Sequence, residues 1–152
     1  MAYPRMLAGL GALLAIAGCS QSPPSQTFVG APIPPMVVLT CDLEAKHVGV
    51  LNPGYAGDQT GETLVLTFTS LDPGAGTAQL IGNSGASTVE FRSFGGQLQF
   101  IEETPAGNVT VTSVFAPPAP GEPLPAVHSR HIAIAPADVA ISQFAGACRP
   151  KV

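Results

Sequence analysis

Charge is scarce in this chain, with six Lys plus Arg and ten Asp plus Glu among 152 residues and a formal net charge of −4. So few basic residues form no stripe that could neutralise phosphates, which sets nucleic acid aside as a partner. The same shortage stands beside seventeen glycines and sixteen prolines. That balance disfavours long amphipathic helices and coiled coils, which are built from Glu, Lys, Arg and Ala. Long apolar runs are lacking too. No stretch approaches the roughly 20 residues that cross a bilayer as a helix, so no transmembrane helix is expected. The length suits one domain plus whatever the ends spend on targeting.

What is present begins with an address. Arg5 is the only charge before an apolar run from Met6 to Ala17, and the run closes on the small residues Gly18 and Cys19. A single positive charge, a short apolar stretch and small residues in that order are the layout of a secretory signal peptide. Ile16, Ala17, Gly18 and Cys19 resemble the lipobox of bacterial lipoproteins. The resemblance implies cleavage before Cys19, diacylglycerol on its thiol and, in many bacteria, an acyl chain such as palmitate on its new amino group. Several chains anchor a protein stably where one holds it only marginally. The competing reading makes Cys19 a buried cysteine in an apolar helix. In the same family an acidic residue after the cysteine marks inner-membrane retention in many enterobacteria. Ser20 stands there instead, which favours the outer membrane over the inner.

Three cysteines leave one unpaired unless lipid consumes Cys19, and then Cys41 and Cys148 remain as a pair. An oxidising envelope compartment favours a disulfide between them. Two reduced, buried thiols are the alternative.

Punctuation divides the chain into a signal peptide over 1–18, a lipidated Pro-rich tether over 19–35 and a single β domain over 36–152. The tether carries Pro23, Pro24, Pro32, Pro34 and Pro35 and favours extended chain, reaching on the order of 45 Å at about 3.1 Å per residue. Beyond it, β-branched residues predict a first strand over 37–43. Leu64, Leu66 and Phe68 alternate with Val65, Thr67 and Thr69, giving the clearest half-buried strand over 63–71. Further short runs over 78–81, 89–91, 97–101, 109–115 and 127–135 are separated by Gly, Pro, Asn and Asp. Gly95 and Gly96 suggest a hairpin, and 139–144 reads as a short helix or strand. Five more prolines between Ala116 and Pro125 predict an exposed loop outside the sheet or at its edge. The sum is an all-β fold, a small antiparallel barrel or sandwich of six to eight short strands tied by one disulfide.

Candidate chemistry is thin. His128 and His131, three residues apart on a strand, point to opposite faces and grip no common ion without a bend. Arg130 and nearby Asp138 read as a solvated polar edge. Glu102 and Glu103 diverge at a strand end and do not form the facing pair of glycoside hydrolysis. Neither Ser84 nor Ser129 has a convincing base and orienting acid. Gly74 and Gly76 are turn residues rather than a phosphate loop. Asn108-Val109-Thr110 matches a glycosylation acceptor, which carries little meaning in a bacterial lipoprotein. No enzyme activity, metal or other cofactor is expected.

A lipid-anchored binding module or accessory subunit of a larger membrane-associated complex remains, with a protein partner and the membrane as its contacts. An apolar-ligand carrier is a further class. One sharper reading comes from resemblance. The lipobox and a cysteine near each end of the domain are similar to those of small β-barrel lipoproteins that inhibit lysozyme. Asn83-Ser84-Gly85-Ala86 resembles their Ser-Gly-containing loop, although Phe94-Gly95-Gly96 stands where that family has its Trp and Lys-Gly. An acidic domain attracts a cationic enzyme of that kind.

Overall fold

The computed structural model describes residues 36–51, 55–56, 61–135 and 138–151, without side-chain detail at 50, 51, 55, 56, 134, 135 and 138. The residues expected to form the signal peptide, the lipobox with Cys19 and the tether lie outside the described residues. Nine strands follow in order: β1 (Val38–Leu51), β2 (Tyr55–Ala56), β3 (Thr63–Asp72), β4 (Thr77–Gly82), β5 (Gly85–Phe94), β6 (Gln97–Glu103), β7 (Val109–Phe115), β8 (Leu124–Ala135) and β9 (Asp138–Lys151). No helix occurs among the described residues.

Each strand from β4 onward pairs antiparallel with the one before it, β3 pairs with β1, and β9 returns to β1. Eight strands therefore close into an up-and-down barrel, with the two-residue β2 folded onto the end of β1. Closure removes the free sheet edges among these eight strands. The segment expected as a short helix or strand is the long strand β9.

Period-two patterning fills the interior. Leu64, Leu66 and Phe68 are buried as their alternation predicts, and Leu39, Cys41 and Leu43 on β1 face the same core. Phe100 stacks between Phe68, at 3.8 Å between ring centroids, and Phe91, at 5.2 Å. Burying such a side chain contributes about 1.5–3 kcal/mol, and the Phe91–Phe100 stack adds about 0.5–1.5 kcal/mol.

The seam between the first and last strands carries the disulfide. Cys41 and Cys148 are direct register partners, fully buried and bonded, with a sequence separation of 107. Beside it, a Cβ at Gly146 would collide with the Asp42 carbonyl oxygen. Glycine lets the two backbones close there.

Turns follow the local chemistry. Gly95 and Gly96 take positive φ of 58° and 77°, the pair of conformations that a two-residue type I′ hairpin demands. Asp72 Oδ1 accepts hydrogen bonds from the Gly74 and Ala75 amides at 2.9 Å, so this glycine-containing segment is a turn.

The proline segment departs from expectation. Ala116 and Pro117 are buried, and the Ala116 amide donates to the Gly96 carbonyl oxygen at 2.8 Å. Leu124 and Pro125 belong to β8, paired with Cys148 and Ala147. Leu124 is buried in the core while Pro125 stays exposed on the outer face. Ala116 and Pro117 therefore tuck against one end of the barrel, and only the stretch over 118–123 has the character of a solvated connector.

In an up-and-down barrel the connections alternate between two poles. The base holds the start of β1, the β3–β4 and β5–β6 turns, the 116–123 loop and the end of β9. The opposite pole, the mouth, holds the β4–β5 and β6–β7 turns and the β8–β9 connection.

Candidate ligand cleft at the barrel mouth

Cross-strand register arranges the interior in rows. Leu98, Val114 and Ala126 are partners in one row. Phe100, Thr112, His128 and Phe144 form the next, and Glu102, Thr110, Arg130 and Ser142 the one above it toward the mouth, with Ile132 and Ala140 paired beyond. Polarity rises from row to row, from an apolar base to a charged rim.

A cleft of about 440 Å³ opens at that rim. Leu64 and Leu66 of β3 and Leu80 of β4 line one side, and Glu102, Thr110, His128 and Arg130 of β6, β7 and β8 line the other. In the closed strand order these groups stand across the barrel from each other. Asn83–Ser87, which include the β4–β5 turn, and Glu62 form part of its edge.

Glu102 Oε1 accepts a hydrogen bond from Ser87 Oγ at 2.6 Å, and Oε2 accepts one from Thr110 Oγ1 at 3.3 Å. Two hydroxyls thus fix the carboxylate against the wall. Glu103, one residue on, is exposed on the outside. The divergence expected of the two glutamates holds, but the solvated strand end does not describe Glu102. Its side chain continues the inward face of Leu98 and Phe100.

Arg130 also faces inward, with its guanidinium carbon 5.9 Å from the centre of the Phe144 ring. At that distance the ring's negative face attracts the cation. Among the described residues no carboxylate forms an ion pair with Arg130; the ion pairs join Lys46 to Glu44, Arg92 to Glu90 and Arg149 to Asp42. The solvated polar edge expected around Arg130 is therefore corrected to a cleft wall. The Asp138 side chain lies outside the described residues.

His128 sits beneath Arg130 at 3% exposure, its Nδ1 2.8 Å from Thr112 Oγ1. Burial first, and the Arg130 charge second, lower its pKa to about 4. It is a neutral imidazole at the pH of most compartments. His131 is exposed, so the two histidines do part to opposite faces. No group of three or more His, Cys, Asp or Glu gathers as a metal site among the described residues.

The other candidates scatter. His47 lies beside the irregularity in the β1–β9 ladder, Ser129 is on the outer face of β8, and Ser84 is in the mouth turn. Asn108 Oδ1 accepts a hydrogen bond from the Ala133 amide at 2.9 Å, tying the β6–β7 turn to β8. Sequence reasoning missed Glu102 and Arg130 as partners in one cleft. The signal was parity, since each lies an even number of residues from a buried apolar neighbour on its own strand.

No family model, curated protein or solved structure matches this chain. Fold and site together define an eight-stranded, disulfide-closed barrel with an apolar interior and a charged cleft in one pole.

Proposed function

We propose that this protein is a non-enzymatic binding module of the bacterial cell envelope, anchored by lipid on Cys19 and working as an accessory subunit of a membrane-associated complex. One observation carries the binding reading. A cleft lined by fixed charged and aliphatic side chains opens at the mouth, the pole opposite the one where β1 begins, so it lies clear of the point where the chain enters the barrel. Strands β6 and β8 supply Glu102 and Arg130, which is how a binding site is kept in shape. Outer-membrane placement rests on Ser20 after the lipobox cysteine.

A second reading, inhibition of a lysozyme-like cationic enzyme, draws on the exposure of Asn83–Ala86 at the rim of this cleft.

The test is a pull-down of the native protein from its own membranes in detergent, after intact-mass measurement of the lipid on Cys19. Ile132 lines the cleft, so the full-chain variants Ile132→Trp, which narrows it, and Val127→Trp, on the exposed outer face, are run beside it. A stoichiometric companion kept by wild type and Val127→Trp and lost from Ile132→Trp is the expected result. An identical set of companions in all three, or none in any, overturns the reading. Lysozyme as that companion selects the inhibitor.

A further inference from the structure

We infer that the mouth cleft is a receptor for a small amphipathic zwitterion, an aliphatic α-amino acid or a short peptide with both ends free. This assignment rests on the cleft being the binding site and names what it takes.

Three features of the lining point to three parts of one ligand. The first is a cation with no anion. Arg130 points into the cleft, held over Phe144 and engaged by no carboxylate among the described residues. A guanidinium in that state presents a planar fork suited to a carboxylate, which it binds in bidentate fashion. The second is a fixed anion in the same register row. Glu102 is two strand steps from Arg130, through Thr110, which places the two Cα atoms about 10 Å apart at roughly 4.8 Å per step. Ser87 and Thr110 donate to its oxygens and hold it in place. A carboxylate accepts more than one bond per oxygen, which leaves capacity for an ammonium. The third is the opposite wall, where Leu64, Leu66 and Leu80 offer aliphatic surface.

Electrostatics narrows the class. Glu62 and Glu102 both line the cleft, so a bare anion meets two like charges on its way to Arg130. A bare cation meets Arg130 itself. A ligand carrying both charges satisfies each wall and places no charge opposite its like. The imidazole of His128, beneath Arg130, is already bonded to Thr112 and adds no charge at neutral pH. The cleft's volume of about 440 Å³ lies inside the roughly 300–1,000 Å³ of sites that hold small molecules. A macromolecular chain has no passage through, because Phe100 and its stacked partners fill the barrel below.

The experiment is isothermal titration of the native, full-length processed protein in detergent with leucine and leucylleucine. N-acetyl-leucine, leucinamide and N-acetyl-leucinamide serve as probes lacking one charge or both. At least one free-ended probe is expected to bind. Acetylating the amine or amidating the carboxylate is expected to weaken it by about tenfold or more, since each removes a charge-assisted contact. Arg130→Gln and Glu102→Gln are expected to weaken it likewise, while Arg149→Gln on the outer surface leaves it unchanged. Circular dichroism melts of the same variants separate lost binding from lost folding. Equal binding of N-acetyl-leucinamide overturns the assignment, as does no binding of either free-ended probe. Native mass spectrometry then tells the two failures apart. A different co-purified molecule that is absent from Ile132→Trp refutes the ligand class and leaves the cleft a binding site. An identical spectrum for wild type and Ile132→Trp refutes both.

Discussion

Thr112 and His128 face each other across the β7–β8 ladder inside the barrel, with hydroxyl and Nδ1 2.8 Å apart. The hydroxyl both donates and accepts, so it satisfies either tautomer of the neutral ring, but nothing in this contact compensates a charged one. The pair therefore makes the fold sensitive to acid.

The folded-state pKa of His128, about 4, lies below the ordinary 6.5. Between these values the unfolded chain binds a proton that the folded chain refuses, so stability falls as pH falls from about 6.5 to about 4 and is fully present above that window. The slope is about 1.4 kcal/mol per pH unit at its steepest. Urea unfolding at pH 7 and pH 5 should show the loss. His128→Gln, which cannot titrate, should flatten the difference; an unchanged slope in that variant would assign the acid sensitivity to other groups.

Breaking the seam disulfide should be strongly destabilising. Closing a loop of 107 residues contributes about 4–5 kcal/mol in the chain-entropy model. The bond is fully buried, so dithiothreitol should act only through unfolding. Guanidinium melts of the oxidised protein and of Cys41→Ala/Cys148→Ala measure the difference, and a midpoint shift near zero contradicts it.

Gly146→Ala should destabilise by about 1–3 kcal/mol, because its methyl group meets the Asp42 backbone oxygen and neither strand can yield alone. Gly82→Ala is the informative contrast. Its Cβ finds Leu66 Cδ2 at 3.5 Å, an ordinary contact, and it should keep the wild-type midpoint within about 0.5 kcal/mol. Thermal melts of the pair decide it.

Phe100→Ala removes the middle ring of the three-ring stack and should cost about 3–5 kcal/mol. Phe94→Ala, at a hairpin tip and 51% exposed, should cost under about 0.5 kcal/mol. Equal losses would mean that the stack does not dominate the core.

The alternation of Leu64, Leu66 and Phe68 was legible because burial on one face of a strand writes itself as a period of two. The same rule carried the hairpin at Gly95-Gly96, where turn chemistry is local. On β7 the same alternation separates Val109, Val111 and Phe115 from Thr110 and Thr112, but it gives no direction, and the threonines are the ones turned inward. Hydrophobicity alone misleads there, since Glu102, Arg130 and His128 occupy the adjoining inward positions and a threonine suits that company. Barrel closure was not legible either. The Cys41–Cys148 pair read from the cysteine count did bring the end of the chain beside β1, but no local pattern told a closed barrel from a sandwich, since closure needs β9 to meet β1 along nearly its whole length. Pro125 misled for a related reason. Lacking an amide hydrogen, it reads as an exile from any ladder, yet β8 includes it on its outer face.

The pairing of the first strand with the last also sets an order of events. As the chain is made, β1 can find β3 early, but its other side waits for β9, the final fourteen residues of strand. Contacts of such long sequence separation form slowly and late. Until they form, half of β1 stays open to any other extended chain, and the Cys41 thiol has no mate. The finished barrel is thus the product of a complete polypeptide, and a truncated or stalled one exposes a sticky edge.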